Sequence, residues 1–298
     1  MVTSGPVPIL SELYHGNLAD PKVFHRVFEA LVPLLDLLEV PTDNLVVVFD
    51  RGVNSIENFD DVLKTMHVIA AVNRQEARRL FQTPLTEYHE VCRDGEGKPI
   101  QGWPTLWHGY DRDRRTLAIY RETTAKHQQA RWESTKKKVL DQVAKWQFSL
   151  EKGASGRSQK ALLRKLVDLI PKDYRGVFDY GVEEVEVTTA KGKRVKHYQP
   201  RCEVNSKAEG ELRASFGKAA TITDVAAPEL PNKKLLEASA ARAEIEEQIQ
   251  WLKDRCVVSL KPMWVRHDAA IPGHVFGCVM GLTLLRYLQW EVRDSTCR

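Results

Sequence analysis

Arg242, Glu246 and Lys253 are separated by three and then six residues inside a segment that reads as one helix. With 3.6 residues per turn they share about 40° of arc, so a carboxylate is flanked by two cations on one stripe. That is how a helix presents a metal ligand beside a phosphate, although the salt-bridge stripe of any charged helix has the same spacing. A second carboxylate stands at Asp50, directly after the apolar run Leu45-Val46-Val47-Val48-Phe49. Such a run, β-branched and without alternation, predicts a strand buried on both faces, and sites in open α/β sheets gather outside the carboxyl ends of such strands. Read by itself, Asp50 is a strand-terminating cap for the turn at Arg51-Gly52. The pair Asp50 and Glu246 is what suggests metal chemistry.

The elements that must position this pair follow from the pattern. Asp20-Pro21 predicts a helix start, with Val23, Phe24, Val27, Phe28 and Leu31 on one face and Pro33 kinking or ending it. After the Asp50 strand, Ser55 caps a short helix with the stripe Ile56, Phe59, Val62, Leu63 and Met66, and His67 to Val72 is a second buried strand. That order gives a right-handed crossover and parallel pairing of the two strands.

From about residue 75 the pattern loosens. Leu117 to Tyr120 is a short strand, and 124 to 151 a long polar helix with Leu140, Val143, Trp146 and Leu150 on one side. Ser158 to Ile170 is a basic helix, and alternating runs on either side of Ala190-Lys191-Gly192 form a hairpin. Lys218 to Thr223 is again a strand. Asn232 to Asp254 is the helix bearing Glu246, packed on the sheet through Ile245, Ile249 and Leu252, and Gly273 to Trp290 is a final, largely buried helix. The reading is an α/β domain in two parts, 1–74 and 216–298, with 75–215 inserted between them.

Composition fits a soluble globular protein of 298 residues, with 43 % hydrophobic and 28 % charged side chains. No basic start precedes an apolar core at the N-terminus, and Val275 to Leu285 is too short to span a bilayer, so no membrane partner is expected. Cys92, Cys202, Cys256, Cys278 and Cys297 are odd in number and never two residues apart, which suggests reduced thiols and a cytoplasmic protein. Charge is uneven: residues 126–201 hold 18 Lys or Arg against 9 Asp or Glu, a surplus of nine in a chain whose net charge is +4. Such a surplus suits a polyanion through counterion release, or a solvated Lys-rich surface.

Taken together these motifs resemble the DDE transposases of bacterial insertion sequences, in particular the insertion-sequence-four group. The family signature is tyrosine, two residues, arginine, three residues, glutamate, six residues, lysine; Arg242, Glu246 and Lys253 fit it, with Ser239 where the tyrosine belongs. Gly16-Asn17 with Asp20, Val48-Phe49-Asp50-Arg51-Gly52, Glu57-Asn58, the strand Gly217 to Asp224 and the tail Pro262 to His274 are similar to further family blocks. The resemblance is weakest from 75 to 215.

What the resemblance implies is a ribonuclease-H-like core with a mixed α/β insertion before the last catalytic helix. It also implies a two-metal Mg²⁺ site, one ion activating the attacking oxygen and the other stabilising the leaving oxygen, about 4 Å apart. Asp50 and Glu246 would be metal ligands, and Arg242 and Lys253 would contact DNA phosphate. The partners would be the double-stranded terminal repeats of an element and a second transposase in a homodimeric transposition complex. The family's first carboxylate lies on a strand upstream of the Gly-Asn block. It has no counterpart here, so the chain reads as an N-terminally shortened copy, the alternative being a non-catalytic DNA-binding remnant. His108, His127 and His197 show no ligand spacing. Trp251, opposite Glu246 on the wheel, either stacks on a base or packs.

Overall fold

A β-branched run, a serine cap and a second apolar run build the first part of the fold. The computed structural model describes residues 10, 20–49, 51–151, 158–188, 194–254, 256–258, 260 and 267–296. Helix α1 spans Asp20–Leu37 and continues through Pro33. Strand β1, Val46–Phe49, is followed by α2, Ile56–Val62, and β2, His67–Ala71. The two strands pair in parallel, from Val46 opposite His67 to Phe49 opposite Ala70, as the crossover requires. Ser55 is extended, and its Oγ accepts from the Asn58 backbone N–H at 3.1 Å, satisfying one orphan donor of α2. Ser55→Ala is expected to cost about 1 kcal/mol in urea unfolding.

The chain then adds β3 (His89–Arg93), β4 (Pro99–Gly109) and β5 (Arg112–Tyr120), and much later β8 (Lys218–Thr223). Together they form a mixed six-stranded sheet in the order β1-β2-β8-β5-β4-β3, with β2 and β8 antiparallel. β2 is enclosed, with Val68, Ile69 and Ala70 at most 1 % exposed. Among the described residues β1 has a neighbour on one side only and its valines are half-buried, so the expectation of a strand buried on both faces is corrected. Ile69, Ile100, Leu117, Leu235 and Leu236 form the core on one face, with Val46 and Val48 packed against it.

The chain divides into two compact units, one of residues 1–80, 87–119 and 219–298 and the other of 81–86 and 120–218. The expected boundary at 75 differs from this division because β3 to β5 pair into the first unit's sheet. The second unit contains α3 (Glu122–Glu151), α4 (Gln159–Leu169), the hairpin β6 (Phe178–Thr188) and β7 (Arg194–Val204), and α5 (Ser206–Ala214). The hairpin pairs antiparallel from Phe178 opposite Val204 to Thr188 opposite Arg194; its expected turn at Ala190-Lys191-Gly192 lies outside the described residues. Its core holds Trp132, Val139, Val143, Leu166, Ile170, Tyr174 and Phe178. Gly217 has φ +74°, and a Cβ there would come within 2.7 Å of the Arg121 carbonyl oxygen, so this turn admits only glycine.

Glu209 ties the second unit together. One carboxylate oxygen accepts from Trp132 Nε1 at 2.9 Å, Lys136 Nζ at 3.0 Å and Arg213 Nη2 at 2.8 Å. Trp132 foremost, then Arg213 and Lys136, pull its pKa from 4.5 down to about 2. A depressed carboxyl pKa adds stability that is complete above about pH 4.5 and lost as the pH falls through about 2. Glu209→Gln is expected to cost about 2 kcal/mol at neutral pH, the gap to wild type closing in urea titrations between those two pH values.

After β8, α6 (Asn232–Ala240) and α7 (Arg242–Lys253) replace the single expected helix, and α8 (Ile271–Thr296) ends the described chain. The expectation that α8 is largely buried fails. Its stretch Ile271–Val292 is long and apolar enough, by length and composition, to cross a membrane, and 17 % of its most apolar window is buried.

Candidate functional site

Helix α6, which leads into the glutamate helix α7, is placed by three contacts. Arg115 on β5 donates to the Val225 carbonyl at 3.0 Å and to Asn232 Oδ1 at 2.7 Å, fixing where α6 begins. Leu235 and Leu236 then bury against Ile69 of β2. At the far end of α6, the Ser239 hydroxyl lies 3.3 Å from that of Thr221. Thr221 is the β8 residue opposite Ala71, the last residue of β2, and Ala70 is opposite Phe49. Ser239, which opens the Ser-Arg-Glu-Lys series, therefore touches the sheet at the carboxyl ends of the two parallel strands.

Arg242 is the first residue of α7, Glu246 lies one turn on, and Lys253 is the last residue. Glu246 and Lys253 are exposed; the side chain of Arg242 and the whole of Asp50 lie outside the described residues. The expected packing of α7 is corrected: Ile245 and Ile249 are 45 % and 43 % exposed, and Gln248 is buried instead. The reason is that α7 lies against α6 and α8. Trp251 faces Arg286 of α8, whose guanidinium carbon is 5.3 Å from the indole centroid, a cation–π contact that accounts for this tryptophan by packing. His274 Nε2 lies 3.9 Å from Cys278 Sγ in the same helix.

A polar relay that the sequence did not announce sits at the same strand ends. Asn54 Nδ2 donates to the Ala71 carbonyl at 2.9 Å and to the Tyr110 hydroxyl at 3.0 Å, and that hydroxyl donates to Glu76. Burial first, and then the Glu76 carboxylate, raise the Tyr110 pKa, so the phenol stays protonated and remains a donor. Tyr110 and Asp111 both have positive φ, 54° and 62°, in the β4–β5 turn. Contact of the Tyr110 ring with Phe59 at 4.8 Å holds the turn, as does buried Arg114, which donates to the Gly109 and Tyr110 carbonyls. Neither positive-φ residue is Gly or Asn, and Gly109 stands just before them, so the sequence signal for this turn is weak.

Of the carboxylates expected to bind Mg²⁺, only Glu246 is among the described residues, and among those residues no group of three His, Cys, Asp or Glu is arranged to hold a metal. Comparison with protein-family models, with curated proteins and with solved structures gives no match for this chain.

Proposed function

We propose that the chain is a DDE transposase built on a ribonuclease-H-like core, acting on double-stranded DNA. The observation that supports this reading is the Ser239–Thr221 contact, which holds the end of α6, just before the Arg-Glu-Lys helix begins, on β8 beside the ends of the parallel pair β1 and β2. A site of this class draws carboxylates from a strand end and from a following helix. In this reading Asp50 and Glu246 ligate Mg²⁺, and Arg242 and Lys253 bind phosphate oxygens next to the scissile bond. Mg²⁺ supplies Lewis-acid stabilisation of the oxygens exchanged at phosphorus. The basic surplus of residues 126–201 offers sequence-independent attraction to the duplex.

The test is titration of the full chain with Mn²⁺ by calorimetry, followed by incubation with a duplex carrying a free 3′-hydroxyl. Saturable Mn²⁺ binding that Asp50→Asn and Glu246→Gln each abolish supports the reading. Binding unchanged in both variants overturns the site. DNA binding with no Mn²⁺ binding replaces it with the non-catalytic remnant.

A further inference from the structure

We infer that a cavity inside the second unit is a binding site for a small aromatic anion. The cavity measures 340 Å³, and the residues that line it, from the segment 82–85, the end of β5, α3, α5 and the start of β8, all belong to that unit. Its volume falls at the small end of the range that ligand sites occupy.

The charge of the lining selects an anion. Lys218 and Arg213 both line the cavity, and among the described residues no Asp or Glu does. Lys218 is 4 % exposed, and its Nζ donates to the Phe81 carbonyl at 2.9 Å and to the Thr83 carbonyl at 2.5 Å, so the ammonium is fixed in the wall before any ligand arrives. Burial lowers its pKa, and an anion beside it acts in the opposite sense by favouring the charged form. Arg213 is held as firmly: its Nε and Nη2 donate to Glu209, and Nη2 also to Glu133, which leaves Nη1 as the donor for a ligand oxygen.

The rest of the lining selects a flat body. Tyr120 and Phe216 contribute rings, and Leu85 and Ala125 apolar surface. The Gly217 turn lies against the Tyr120 ring, since a Cβ there would come within 2.9 Å of Cε2, so the ring too is set in place. Cations and aromatic walls already fixed lose little freedom on binding, which is the condition for useful affinity in a small cavity. The residues of the proposed metal and phosphate site belong to the first unit, so the inference goes beyond the transposition reading and stands without it.

Calorimetric titration of the full chain at low ionic strength tests it, with indole-3-acetate as a carboxylate-bearing ring and adenosine 5′-monophosphate as a phosphate-bearing one. Indole-3-acetamide and adenosine are their uncharged counterparts. The expected result is saturable binding of one or both anions, at least roughly tenfold tighter than the matching uncharged compound, and the preferred anion identifies the acid group. Gln129 is an exposed α3 residue in the lining, where a change of charge leaves the fold intact. Gln129→Glu is expected to weaken the anion by roughly threefold or more and Gln129→Lys to tighten it by a similar factor. Lys218→Met is expected to weaken it at least roughly tenfold, with circular dichroism melting to check that this buried change folds; if it does not fold, the Gln129 pair decides. No saturable binding of either anion, equal binding of the uncharged counterparts, or indifference to both Gln129 changes overturns the inference.

Discussion

The Glu246→Gln protein is expected to melt at the wild-type temperature and to lose its divalent-cation binding, with any DNA cleavage or strand joining reduced at least roughly a thousandfold. The two halves of the expectation have separate causes. Glu246 is exposed on α7, and an isosteric change at an exposed helix position stays within about 0.5 kcal/mol. The carboxylate charge, by contrast, cannot be replaced by a neutral amide as a ligand for a hard cation, and ligands acting as a unit fail together. Calorimetric Mn²⁺ titration read beside a melting curve separates these effects. Strand joining at the parental rate would show that Glu246 is no part of the site.

Trp132→Ala is expected to be the most damaging single change to the second unit, costing about 3–5 kcal/mol. Trp132 is fully buried, with ring centroids 5.1 Å from Tyr174 and 5.4 Å from Phe178. Its loss opens a cavity between α3 and the start of β6 and takes from Glu209 the hydrogen bond that does most to hold its carboxyl ionised. Amide hydrogen exchange is the appropriate readout. Protection should collapse across 120–218 and persist in β2, whereas a uniform loss over both units would mean that they do not unfold separately.

What the sequence disclosed depended on how local the cause was. The Ser55 cap, the parallel pairing of β1 with β2, the strand Lys218–Thr223 and the helix Gln159–Leu169 were legible because caps and β-branched runs act over a few residues. Strands β3 and β4 went unread because Trp103, Trp107, His108 and their neighbours mix polar and apolar residues without a clean period. In α3 the predicted stripe kept Val143 and the partly buried Trp146 but missed Trp132 and Val139, which precede Val143 by eleven and four residues and carry the buried face toward the start of the helix. The break between α6 and α7 falls at Ala241, the strongest helix former, so propensity hides it. For α8, apolar content predicted burial, but only tertiary structure decides which faces find a cover. At the candidate site, the Arg242-Glu246-Lys253 spacing is a sequence pattern that the structure places on one helix, while the Asn54–Tyr110–Glu76 relay needed three segments far apart in sequence.

The position of β8 bears on how the protein is made. It lies between β2 and β5, yet its first residue, Lys218, follows the end of β5 by nearly the whole of the second unit. On the ribosome, residues 120–217 therefore emerge while the middle of the sheet is still vacant, leaving the inner edges of β2 and β5 open to stray partners. Slow elongation through this interval should lower the soluble yield, and a trigger-type chaperone that shields nascent strands should recover it.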